Sequence, residues 1–232
     1  MGKRGPKPKG KVKIKWSSNF AYAIGLIVSD GNLSPDGRHI NFTSKDIEQI
    51  DNYQKALNIK CHIGKKSSGL QKEKKYFVVQ FGDVSFYNFL VLIGITSAKS
   101  RTIGKIKIQD KYFFDFLRGY FDGDGCSYSY WDPRWKSSFM FYIGFVSGSI
   151  IFIKWLRLEI NKKSKLCGHL SIHKKKEGGN NYYQLRYSKY EAIKLSSLMY
   201  KNEDGLKLKR KHLKIMKSLC IVKEHKGKVF VK

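Results

Sequence analysis

The sequence predicts an α+β protein of two pseudo-symmetric αββαββα halves, packed through a pair of helices and each carrying an antiparallel sheet. Three observations lead there. One order of elements, helix, hairpin, helix, hairpin, helix, runs twice between Asn19 and Leu219. Each run opens on an apolar helix in which small residues recur at every fourth position. Each of those helices reaches an Asp-Gly pair, Asp30-Gly31 in the first and Asp124-Gly125 in the second.

In the first run the opening helix is expected over Phe20 to Ser29, followed by a hairpin whose second strand holds Arg38 to Ser44. An amphipathic helix spans roughly Asp46 to Leu57. Strands follow near Cys61 to Lys66 and Lys75 to Phe81, then a helix over Val84 to Leu92. The second run repeats this with a helix over Tyr112 to Gly123 and a longer hairpin from Cys126 to Val146. A helix over Ile150 to Ile160, strands near His169 to Lys174 and Tyr182 to Tyr187, and a helix over Glu191 to Tyr200 complete it. Leu208 to Leu219 adds a terminal helix. Local matches support a duplication: Phe77 to Asp83 corresponds to Tyr183 to Lys189, and Ile40 to Ile47 to Ile143 to Ile150.

On the two opening helices, Ala21, Gly25 and Ser29 form one stripe, and Gly119 and Gly123 the other. Residues four apart share a helix face, so two smooth faces can pack with their backbones close. Gly25, Ser29, Gly119 and Gly123 are therefore the expected helix interface. That packing brings Asp30 and Asp124 together at one end. Two carboxylates at helix C-termini repel each other and the helix dipoles, unless a divalent cation lies between them. An Asp-Gly pair is also an ordinary helix stop, and one alone would carry little. An EF-hand is excluded: counted from Asp30, Pro35 stands where the loop needs Gly and Asn41 where it needs Glu, and counted from Asp122 the twelfth residue is Pro133.

Charge narrows the partners. Forty-six Lys and Arg against eighteen Asp and Glu leave +28, a field suited to nucleic acid or an anionic membrane surface. The most apolar stretch, Phe139 to Leu156, is interrupted by Ser147-Gly148-Ser149 and contains Lys154, so no spanning helix or membrane partner is expected. No signal peptide is read at the N-terminus, and an intracellular location is expected, in cytoplasm, nucleoid or an organelle. The cysteines Cys61, Cys126, Cys167 and Cys220 are scattered and read as reduced thiols. Cys167 and His169 lack a second pair at ligand spacing, so no zinc site is expected. Residues 1–16 read as a flexible basic arm, compatible with a role along phosphates or in a minor groove, or with that of a solubilising tail.

The segments AIGLIVSDG (Ala23 to Gly31) and LRGYFDGDG (Leu117 to Gly125) resemble the two diagnostic motifs of single-chain LAGLIDADG homing endonucleases. The resemblance extends over most of Asn19 to Leu219. It implies a first half over 17–109, a second over 110–232 with a C-terminal helix and basic tail, and saddle-shaped sheets gripping a long duplex DNA target. It implies a monomer that cuts both strands across the minor groove, leaving short 3′ overhangs, with Mg²⁺ held by Asp30 and Asp124. Asp122 matches an earlier acid of the motif, structural in the family, where the first motif has Val28. Lys99 and Lys209 match by position the basic residues of family active sites, and Ser44 and Ser147 lie where relatives place Gln or Asn near the water. The same scaffold serves intron RNA maturases and DNA-binding regulators without cleavage, and retention of both aspartates favours the nuclease.

Target reading in this family falls to one face of each sheet, and the period of two selects the side. In the first half Ile40 and Phe42 face the core, leaving His39, Asn41 and Thr43 outward. In the second, Leu170 and Ile172 are expected inward against His169, Ser171 and His173. Likewise Tyr183, Leu185 and Tyr187 oppose Gln184 and Arg186.

Overall fold

The computed structural model describes residues 10–67, 75–174 and 181–229. Residues 1–9 of the expected arm, and 230–232 of the basic tail, lie outside the described residues.

The first half runs α1 (Ser18–Asp30), β1 (Gly31–Leu33), β2 (His39–Ser44), α2 (Ile47–Leu57), β3 (Ile63–Lys66), β4 (Tyr76–Gly82) and α3 (Val84–Leu92). A four-residue helix, α4 (Lys99–Thr102), follows it and is not expected from the sequence. The second half runs α5 (Phe113–Asp124), β5 (Gly125–Trp131), β6 (Phe139–Ser147), α6 (Ile150–Ser164), β7 (His169–His173), β8 (Tyr182–Ser188) and α7 (Lys189–Met199). The terminal helix α8 is Lys209–Val229. Both sheets are antiparallel and four-stranded, ordered β1-β2-β4-β3 and β5-β6-β8-β7.

The duplication holds at the level of register. Gly31 pairs with Phe42, and Gly125 with Phe145. Phe42 then pairs with Val79, and Phe145 with Leu185. These are the positions that the matched segments align.

The α1–α5 contact is the axis of the molecule, and its glycines explain how close it is. A methyl on Gly25 would lie 2.6 Å from the Tyr120 backbone nitrogen, and one on Gly119 would collide with the Tyr22 carbonyl. One on Gly123 would run into the Ser29 side chain and stand 2.6 Å from Asp30 Oδ2. No side chain fits between these backbones. Phe20 to Val28 are buried along α1, and Phe113, Phe116, Leu117, Tyr120 and Phe121 along α5. The outer faces of the pair thus seed the two cores.

Two expectations are corrected here. Residues 10–16 are docked rather than flexible: Val12 is buried, and the Lys11 and Val12 amides donate to Asp83 Oδ2 at 2.6 and 2.9 Å. Trp16 packs edge-on against Phe20 and Phe89. Asp83, which also caps α3 through Phe86 N, supplies the acceptor that pins this strap. Second, Ile172 is 59% exposed instead of facing the core, while Leu170 does pack against it.

The halves also exchange their trailing segments. Ser149, the N-cap of α6, donates from its hydroxyl to Ile103 O just after α4. In the other direction Arg210, near the start of α8, binds the carboxylate of Asp46, the N-cap of α2.

Candidate active site

Asp30 and Asp124 are the last residues of α1 and α5. The glycines after them are not left-handed stops. Gly31 and Gly125 are extended, at φ −81° in each case, and pass straight into β1 and β5. A Cβ there would approach the backbone of Ile27 to 2.7 Å or of Phe121 to 2.6 Å. Glycine is needed because the chain folds back against the preceding helical turn, which sets each aspartate at a helix–strand corner.

The close helix contact brings these two corners together. Asp124 opens to solvent from a recess that protein encloses on its other sides; burial, and then the Asp30 charge, push its carboxyl up to about 6. Burial also raises Asp30, against opposing pulls from Ser29, Lys211, Lys99 and Gln49. Gln49 Nε2 reaches Asp30 Oδ2 at 3.4 Å, and no described group hydrogen-bonds to the Asp124 carboxylate.

Two lysines flank the pair in matching posts. Lys99 is buried, and its amine donates to Gly31 O. Lys211 donates to Phe121 O, Gly123 O and Gly125 O at 2.8, 2.7 and 2.7 Å. Burial lowers the pKa of both amines, while the nearby aspartates oppose that shift. Lys209 does not occupy the post expected of it: its side chain is exposed and its backbone N–H donates to Glu48. Helical phase explains the difference, since Lys211, two residues on, is the one turned toward the end of α5.

Ser44 and Ser147 are both buried at the ends of β2 and β6. The Ser44 hydroxyl donates to Gln49 Oε1 at 2.6 Å and accepts from Asp46 N at 3.0 Å, which fixes the Gln49 amide toward Asp30. Ser147 accepts from Ser149 N but meets no such amide. The third residue of α6 is Phe152, where α2 has Gln49. A cavity of about 190 Å³ opens there, lined by Lys99, Tyr120, Asp124, Ser147 and Phe152. Gln49, like Lys211, is a site residue that sequence reasoning missed. Its signal was a buried-face glutamine in the first turn after a strand-ending serine.

The outward sheet faces differ in kind. His39, Asn41 and Thr43 are half-buried on the first, with His39 held by Asp36 and Asn41 Nδ2 donating to Ser34 Oγ at 3.3 Å. On the second, Tyr128 stacks on Tyr142 at 4.9 Å, and Arg186 lies over the Tyr142 ring. Gln184 is half-buried beside Arg186. His169 is exposed, and Ser171 contacts His173, which stacks on Tyr182. Among the described residues no three His, Cys, Asp or Glu groups cluster as a metal cage, and no helix is long and apolar enough to cross a membrane. All four cysteines are free.

No family model and no curated protein matches the chain. Solved structures do. The LAGLIDADG homing endonuclease I-LtrWI bound to target DNA is 12% identical, with a TM-score of 0.58 over 91% of each chain. A variant of the homing endonuclease I-DmoI, in complex with nicked target DNA in the presence of manganese, is 13% identical. It gives a TM-score of 0.51 over 80% of this chain and 96% of its own. Full-length DUF199/WhiA from Thermatoga maritima is 16% identical, with a TM-score of 0.51 over 93% of this chain and 64% of that one. The chain has the two-halved α+β fold of the LAGLIDADG homing endonucleases.

Proposed function

We propose that the chain is a site-specific double-strand DNA endonuclease, acting as a monomer with Mg²⁺ at Asp30 and Asp124 and leaving short 3′ overhangs. The observation that carries this reading is the convergence of two carboxylates between two sheets of a strongly basic chain. Hard carboxylate oxygens suit Mg²⁺, which commonly takes one or two protein carboxylates and completes its shell with water and phosphate oxygens. The unbonded Asp124 carboxylate fits that donor set. When bound, the metal would supply an acidified water and a counter-charge for the phosphate.

The chain's own residues divide the remaining work. An ammonium has three N–H donors. Lys99 places one on Gly31 O, leaving two for a phosphate oxygen as charge builds on it. Lys211 has all three on carbonyls, so it acts as a fixed positive charge beside the acids. Gln49, held by Ser44, orients a water on the Asp30 side. On the sheets, His39, Asn41, Thr43, Gln184 and Arg186, with His169, Ser171 and His173, meet base edges.

A DNA-binding protein without cleavage is the second reading, because the strong positive charge and the paired antiparallel sheets would serve binding alone. Retention of both acids favours cutting. A randomised duplex library incubated with the protein and Mg²⁺ tests the choice: one long recurrent sequence, cut in both strands, is expected. Recovery of a bound but uncut sequence would leave the regulator, and selective binding of structured RNA instead would indicate a maturase.

A further inference from the structure

One of the buried positions at which the two motifs differ places a carboxylate in the second alone: Asp122 stands where α1 has Val28. Asp122 is 1% exposed, in the contact between the halves. Its Oδ2 accepts from Tyr22 Oη across the helix pair and from Leu208 N, both at 2.7 Å. Leu208 is itself buried and immediately precedes α8. A carboxylate at the N-terminus of a long helix satisfies an otherwise orphaned N–H and complements the dipole.

Upstream, the incoming chain is gripped by the buried Arg118, which donates to Met199 O at 2.7 Å and Leu206 O at 2.9 Å. Asp122 makes the last such anchor before the helix. Lys211 lies three residues beyond Leu208, and its amine closes on carbonyls of the same α5 end that carries Asp122 and Asp124.

We infer that Asp122 is a positioning residue: by holding the first turn of α8 it sets Lys211 against the end of α5, beside Asp30 and Asp124. The first half has no need of this acid, because Lys99 belongs to α4, and the segment after α4 is held by the α6 cap, Ser149, through Ile103 O. The assignment rests on the endonuclease reading for its catalytic consequence but not for its structural one, so the test has two arms.

In DNA-free, metal-free protein, reductive methylation reads whether each lysine amine is accessible. Lys211 is expected to be protected in the parent and in Asp122→Asn, which keeps an acceptor for Leu208 N–H. It is expected to be accessible in Asp122→Val, with Lys99 still protected as the internal control. Lys211 protected in Asp122→Val, or Lys99 exposed alongside it, overturns the assignment. If Asp122→Val does not fold, Asp122→Ala removes the same acceptor without a branched side chain, and the same two outcomes decide.

In the second arm, single-turnover cleavage in Asp122→Val falls about 10- to 100-fold, as expected for a residue supporting an active-site group. The fall matches that of Lys211→Met, and the double variant is no slower than either. Additive losses overturn the coupling. If the parent itself cuts nothing, the endonuclease reading fails and the methylation arm still decides the positioning.

Discussion

Asp30 and Asp124 occupy equivalent corners of two halves whose strand registers agree residue for residue, yet their surroundings differ. Asp30 is reached by Gln49, itself fixed by Ser44, whereas Asp124 faces Phe152 and a cavity and carries a carboxyl raised to about 6. The cations are crossed. Lys211, from the second half, acts more strongly on Asp30 than Lys99 does, and Lys99, from the first, acts more strongly on Asp124 than Lys211 does. Close helix packing leaves the backbone no tolerance at these corners, whereas the side chains around the acids differ. On the endonuclease reading, the two strands of a target should therefore meet unequal chemistry.

The largest effect should come from breaking the pairing itself. Gly119→Ala or Gly25→Ala puts a methyl into backbone of the opposite helix, and overpacking of this kind costs about 1–3 kcal/mol or more. Separation of Asp30 from Asp124 should then abolish cutting before folding is lost. Thermal melts and cleavage rates on the same samples check the order; a variant that melts and cuts like the parent would show that these glycines do not lie at a close helix contact.

A smaller effect should separate the two strands. Gln49→Leu should slow one strand by about 10- to 100-fold and leave the other near its parent rate, so that nicked DNA accumulates. Phe152→Gln should narrow any difference between the strands in the parent. Duplexes labelled on each strand in turn resolve both rates, and equal slowing of the two strands by Gln49→Leu would contradict the division.

Legibility in the sequence followed the same line between backbone and side chain. The helix stripes and strand alternation could be read because they are periodic and are set by close packing and burial. The place of Asp30 and Asp124 followed from the stripes. Lys211 was missed in favour of Lys209 because a helical phase error of two residues cannot be seen in a run of Lys-Arg-Lys. Gln49 was missed because its role depends on Ser44, five residues away on another element. The docked strap at Val12 was hidden among lysines, since one buried valine and a distant acceptor, Asp83, decide it.

The smallest effect concerns protons. Asp124 holds its proton more tightly when folded than the ordinary carboxylate value of 3.8, so metal-free protein loses stability from this group as pH rises from about 4 through about 6. Asp124→Asn removes that loss. The melting temperature of the variant minus that of the parent should therefore grow across this window, and excess Ca²⁺ should shrink the difference at pH 8. A difference independent of pH would show that Asp124 is not raised.

In the proposed reaction Asp30 and Asp124 act as one centre. The most direct test is cleavage of the selected target by Asp30→Asn and Asp124→Asn, beside a binding titration in Ca²⁺. Each variant is expected to lose cutting by on the order of 10³-fold or more while still binding the target. Undiminished cutting by either variant would contradict a shared centre.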